Sequence, residues 1–222
     1  MDPKAHWEQV YRTRLPTEVS WYQPHAVRSL EIIRRASPPP GGPVIDVGGG
    51  ASTLVDGLLD AGYQDITVLD LSATALAKAR VRLAARAARV AWVEADVLDV
   101  PLPAARYHVW HDRAVFHFLT APGDRARYVA QVHRAVRPGG VVLVATFADD
   151  GPPRCSGLEV ARYSAATLHA EFGPAFQLLM SEREEHLTPA GARQAFVYCL
   201  CRIPGPREPG DAADAPESPH GT

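Results

Sequence analysis

The run Val44-Ile45-Asp46-Val47-Gly48-Gly49-Gly50 constrains this chain most. Three of its first four residues are apolar, and they run straight into three consecutive glycines. Beyond them Leu54, Val55, Leu58 and Leu59 recur at helical spacing. The run therefore predicts a buried strand, a tight turn and a helix over Ser52–Ala61. A plain strand-to-helix turn rarely needs three glycines in a row. Such a turn also lets a ligand approach the backbone closely.

The alternation continues along the chain. Ile66–Leu69, Val90–Val93, Tyr107–Trp110 and Val141–Phe147 read as strands. Ser72–Arg89, Arg113–Leu119, Asp124–Val136 and Ala165–Phe172 read as helices, with Pro138-Gly139-Gly140 as a stop. This order predicts an α/β fold, a doubly wound and mostly parallel sheet. The end differs: Phe176–Glu182 and Gln194–Cys201 flank the turn Thr188-Pro189-Ala190-Gly191 with no helix between, which predicts an antiparallel hairpin. The second of these runs is apolar on both faces and should lie inside the sheet. Helices near Lys4–Arg14 and His25–Ala36 precede the sheet. The expected organisation is a helical lid segment over 1–42, one catalytic domain over 43–202, and a disordered tail over 203–222 that is dense in Pro, Gly, Asp and Glu.

The 222 residues suit one domain with a sizeable core. A net charge of -2 gives no global pull toward nucleic acid or anionic membrane. The N-terminus lacks the apolar run of a signal peptide, and no window suits a bilayer span. A cytoplasmic protein is expected. Cys155, Cys199 and Cys201 are too few for a disulfide framework and read as buried apolar side chains; no metal site is expected. Arg82, Arg86 and Arg89 share a helical face and read as solvated.

In an open α/β sheet, ligands bind beyond the carboxyl ends of the strands. Those ends carry Gly48-Gly49-Gly50, then Asp70, then Asp96, then His111-Asp112-Arg113, then Asp149-Asp150. Asp70 lies about 20 residues past the glycines, where a carboxylate can accept from two ribose hydroxyls. Asp96 can accept from an adenine amino group.

Together with Glu94-Ala95-Asp96-Val97 and Arg137-Pro138-Gly139-Gly140, these segments resemble the motifs of class I methyltransferases that use S-adenosylmethionine (SAM). The resemblance runs from about Trp7 to Arg202. It implies a Rossmann-like, seven-stranded sheet whose last strand is antiparallel and inserted. It also implies that Asp70 holds the ribose, Asp96 the adenine amino group and the Gly48–Gly50 loop the methionine end. Asp46, Leu71, Val97, His111, Trp21 and Tyr22 complete the expected cofactor residues. One departure is Ser52, where the family often has a third glycine. A nicotinamide dinucleotide enzyme is the alternative. Its Gly-x-Gly-x-x-Gly pattern fails here at Thr53, and Asp46 suits a cationic ligand better than a diphosphate. A SAM-binding module without catalysis is a third reading.

On the acceptor side, Asp112 is a candidate general base and equally a helix cap. His117 has a suitable pKa for a base but sits among Phe116, Phe118 and Leu119. Arg113, Cys155 and His186 are candidate substrate-binding residues. Trp21 and Tyr22 read as a roof over the site, Trp7 and Tyr11 as anchors for the preceding helix. The N-terminal aromatic pattern is similar to that of eukaryotic protein-lysine methyltransferases. The acceptor is expected to be a small molecule or a protein lysine, and the oligomeric state is not legible.

Overall fold

The computed structural model describes residues 2–205. In chain order it contains α1 (Pro3–Thr13), α2 (Val27–Ala36), β1 (Val44–Val47), α3 (Leu54–Asp60), β2 (Ile66–Asp70) and α4 (Ala73–Leu83). Then come β3 (Val90–Glu94), β4 (Tyr107–Arg113), α5 (Pro122–Ala135) and β5 (Val136–Phe147). The short pair β6 (Arg154–Cys155) and β7 (Leu158–Glu159) follows, then α6 (Ala165–Phe172), β8 (Gln177–Leu187) and β9 (Arg193–Arg202). Seven strands form one sheet in the order β3-β2-β1-β4-β5-β9-β8. The first five pair in parallel. β9 is antiparallel to both β5 and β8, inside the sheet as its two apolar faces require.

Helices cover both faces. Val44, Val68, Val109 and Leu143 pack with Ile32 and Ile33 of α2 and Leu54, Val55 and Leu58 of α3. Ile45, Val47, Trp110 and Val142 pack on the other side with Tyr128 and Val132 of α5 and Leu168 and Phe172 of α6. This two-sided burial explains why β1 and β2 are buried at every residue, even at Asp46 and Asp70.

Four expectations shift. The helix read over Ser72–Arg89 stops at Leu83, and a 3-10 turn over Ala84–Arg89 redirects the chain into β3. The helix read over Arg113–Leu119 is only a 3-10 turn at Phe116–Phe118, because β4 runs on to pair Asp112 and Arg113 with Val144 and Ala145. Pro138-Gly139-Gly140 belongs to the irregular start of β5. Gly139 and Gly140 exchange backbone hydrogen bonds with Ile203, which is buried. Ile203, expected at the start of the tail, is thus part of the packed sheet; 206–222 lies outside the described residues. Finally, the long loop after β5 carries the unforeseen β6–β7 hairpin, turned by Ser156 at φ 51° and Gly157 at φ 81°.

Candidate active site

The strand ends converge as the sheet order requires. Each glycine after β1 answers a separate steric demand. Gly48 has φ 66°, and a Cβ there would collide with Val115. A Cβ at Gly49 would lie 2.5 Å from Asp46 Oδ2, and one at Gly50 2.5 Å from Asp70 Oδ2. The turn is thus pressed onto two carboxylates. Arg82 braces its exit by donating to the carbonyls of Ala51 and Ser52 at 2.8 and 2.5 Å and pairing with Asp56 at 2.7 Å. Arg86 pairs with Asp60 at 2.7 Å. Arg82 of α4 and Arg86 of the 3-10 turn after it, read from the sequence as a solvated face, stay partly exposed and also tie this segment to α3.

Asp46 is held from one side only. Its Oδ1 lies 2.7 Å from His111 Nδ1, and His111 Nε2 lies 2.9 Å from Ser29 Oγ, so both ring nitrogens are engaged. Asp46 Oδ2 is buried without a hydrogen-bond partner. A buried carboxylate oxygen left open is costly unless a donor arrives. It borders a small cavity, about 50 Å³, shared with Trp21, Tyr22, Gly48, Gly49 and Arg113.

Beside it opens a larger cleft of about 400 Å³, within the range of small-molecule sites. Leu71, Asp96 and Val97 line one end, beyond β2 and β3. Arg113, Val115, Phe118 and Cys155 line the other, beyond β4 and β5. Gly48 and Asp70 lie between them in sheet order. Asp70 Oδ1 accepts from Ser72 N at 2.8 Å, while Ser72 Oγ caps α4 through Ala75 N. Burial pushes the Asp70 carboxyl up to about 7, and the Asp46 and Glu8 carboxylates add to the rise. Asp96 Oδ1 accepts from Leu98 N at 2.8 Å.

Residues 44–140 match the family described as a methyltransferase domain. This stretch carries the methyltransferase-domain pattern from β1 to the start of β5. The chain is similar to the mouse (Mus musculus) eEF1A lysine and N-terminal methyltransferase, 25% identical over 149 residues, covering 64% of this chain and 21% of that protein. It is also similar to malonyl-[acyl-carrier protein] O-methyltransferase of Enterobacter lignolyticus, 36% identical over 111 residues, covering 50% of this chain and 41% of that protein. The chain thus spans well under half the length of these relatives. A solved SAM-dependent methyltransferase from Anabaena variabilis shares the fold with a TM-score of 0.72 at 18% identity, covering 91% of this chain and 96% of that one.

The larger cleft gathers Trp21, Gly48, Asp70, Leu71, Asp96, Val97, Arg113 and Cys155. Asp46, Gly49, Tyr22 and His111 border the small cavity instead. Gly50 packs against Asp70 and lines neither. His111 serves Asp46, since its ring has no free nitrogen. Trp7 and Tyr11, expected only as anchors, line the cleft as well. Trp7 stacks edge-on with Trp21 and Phe118 at centroid distances of 5.6 and 5.1 Å. Helical spacing in α1 concealed that role; the aromatic residues, all drawn to one cluster, were the only signal.

The structure places three acceptor-side candidates outside both cavities. Asp112 is fully buried, and its carboxylate accepts from Val115 N at 2.9 Å, Phe116 N at 3.1 Å and Tyr128 Oη at 2.5 Å. It caps the turn after β4, one of the two roles read from the sequence, and lines neither cavity. His117 is fully buried too. Phe147 N donates to its Nδ1 at 3.4 Å, and burial pushes its pKa down to about 3, so it is neutral and sealed. His186 Nε2 donates to the Ser20 carbonyl at 2.8 Å and lines neither cavity; it secures the segment before Trp21. Asp149 and Asp150 also leave the crevice, paired with Arg183 on the surface.

Proposed function

We propose that this chain is a SAM-dependent methyltransferase that methylates a small molecule, with Asp70, Asp96 and the glycine turn holding the cofactor. The observation that carries this reading is the charge pattern around the turn: buried carboxylates of Asp46 and Asp70 press on the glycines, and Asp46 Oδ2 has no partner. A cationic amino-acid end suits that pattern, and a diphosphate would be repelled by it. This disfavours the nicotinamide alternative. Asp46 would accept from the ammonium group, Asp70 from the ribose hydroxyls, and Asp96 from the adenine amino group, with Leu71 and Val97 against the base. When bound, the cofactor supplies an electrophilic methyl group on a sulfonium. The residues of the chain align the acceptor with it and exclude water.

The walls favour a small acceptor. Trp7 and Tyr11 of α1, with Trp21, narrow the cleft between the N-terminal segment and the sheet. The resemblance to a lysine methyltransferase keeps a protein acceptor as the second reading. The three free cysteines suit a reducing compartment, which supports a cytoplasmic location.

Methyl-labelled SAM incubated with the protein and host lysate, then separated by size, tests the activity. Label below about a kilodalton is expected. Label in protein would support the lysine reading, and no transfer at all would support a non-catalytic module. Two variants probe the site further. Gly49→Ala must displace the Asp46 carboxylate and is expected to weaken SAM binding about tenfold or more by calorimetry. Trp21→Ala is expected to weaken it about fivefold with a melting temperature lowered by only a few degrees; a large melting shift with unchanged affinity would make Trp21 purely structural.

A further inference from the structure

Arg113 ends β4, and its side chain is only 9% exposed. Three of its sides are taken. Nε donates to Tyr198 Oη at 3.1 Å, Nη1 donates to the Trp21 carbonyl at 3.3 Å, and the guanidinium carbon lies 4.1 Å from the centroid of the Phe196 ring. Nη2 is buried with no hydrogen-bond partner among the described residues. Glu184 Oε2 stands 3.9 Å from it, a long ion pair without a hydrogen bond, and itself accepts from Tyr198 Oη at 2.7 Å. Arg113 lines the cleft, and a planar fork fixed on three sides, with one buried charged donor lacking a hydrogen bond, is preorganised for an anion. Around it the cleft wall is apolar: Ala114, Val115, Phe118 and Cys155.

No unpaired side chain named at this end is suited to take a proton; the carboxylates of Asp124, which lines the cleft, and Glu184 are paired with Arg127 at 3.4 Å and Arg113 at 3.9 Å. Burial pushes the Cys155 thiol up to about 12 and the Tyr11 hydroxyl up as well. Both His111 nitrogens are engaged, Asp112 and His117 are sealed, and His186 is committed to Ser20. A protonated amine would meet the Arg113 charge and find no base.

We infer that Arg113 selects an anionic acceptor: a small apolar molecule whose nucleophile is itself a thiolate or carboxylate. The inference rests on reading the cleft as a SAM site. The acceptor's lone pair forms the new bond to the methyl carbon, and the carbon–sulfur bond of the sulfonium breaks with its electrons returning to sulfur. The acceptor anion and the sulfonium both become neutral, and no proton moves. A general base is therefore not required.

The test is calorimetry on the full chain, first titrated with S-adenosylhomocysteine and then, when saturated, with phenylacetate, its neutral isostere phenylacetamide, and phenethylamine. Phenylacetate is expected to bind at least about tenfold tighter than phenylacetamide, with phenethylamine weakest. Arg113→Met should abolish that preference while leaving S-adenosylhomocysteine affinity within about threefold. Arg113→Lys, which keeps charge without the fork, should retain part of it. If the anion binds no better than the amide, or neither binds, the inference fails alone. If Arg113→Met loses S-adenosylhomocysteine affinity and keeps the anion preference, Arg113 serves the cofactor and the inference fails. If S-adenosylhomocysteine does not bind the unaltered chain, the cofactor reading fails and takes the inference with it.

Discussion

Asp70→Asn is expected to weaken SAM binding about a hundredfold, because charge-assisted hydrogen bonds from a ribose diol are worth roughly 1.5–3 kcal/mol each. The unliganded protein should not suffer. Burial holds the native Asp70 carboxyl at about 7, above its unfolded value of 3.8. A group with a raised native pKa favours folding at low pH, and that advantage is lost as pH rises from about 4 to about 7. At pH 8 the buried carboxylate is therefore a burden that Asn removes. Asn Oδ1 can still accept from Ser72 N, as Asp70 Oδ1 does at 2.8 Å. A melting temperature at pH 8 equal to or above that of the unaltered chain is expected. The same linkage gives binding a pH dependence: affinity should climb through pH 7 as the carboxylate ionises, and Asp70→Asn should flatten the climb. Calorimetry at pH 6, 7 and 8 reads both effects. Unchanged affinity in the variant would remove Asp70 from the ribose.

Asp112→Ala is expected to do the reverse, costing stability first. Val115 N, Phe116 N and the Tyr128 hydroxyl would lose their shared acceptor inside the core. Stranded buried donors cost about 1–3 kcal/mol each, less whatever water enters, so a loss of about 3–4 kcal/mol is reasonable. For a chain of this size the melting temperature should fall by about 10 °C. Asp112→Asn separates the cap from the base. It keeps an acceptor for the turn, so activity should stay within a few-fold. Loss of a true general base would cost about 10²–10⁴ in rate. A loss of that order in a stable Asp112→Asn protein would return Asp112 to the chemistry.

These two aspartates show what the sequence could and could not convey. The place of Asp70 at the cleft was legible because its setting is local: a strand of five residues, glycines about 20 residues earlier, and Ser72 as a better cap beside it. The places of Asp96 and of the terminal hairpin were legible for the same reason. Asp112 was not, because its decisive partner, Tyr128, lies 16 residues on in α5, and helix packing alone brings it to 2.5 Å. His117, a base candidate whose apolar neighbours already pointed to packing, likewise depends on a distant partner; the residue that donates to its ring, Phe147, is 30 residues away at the end of β5. A polar residue at a strand end looks the same whether it is sealed or open. Arg113 carried the opposite ambiguity. Its neighbours Tyr198 and Phe196 sit on the antiparallel β9, so its one unpartnered nitrogen exists only in the folded sheet. Cys155 reaches the cleft through a two-residue hairpin turned at Ser156, a residue type that gives no advance sign of φ 51°.

The most direct measurement is calorimetric titration of the unaltered chain at pH 8 with S-adenosylhomocysteine and, separately, with NADH. One S-adenosylhomocysteine per chain is expected to bind with micromolar or tighter affinity, and NADH is expected to give no signal. Tight NADH binding with no response to S-adenosylhomocysteine would contradict the assignment of the cleft between Asp46, Asp70 and Asp96.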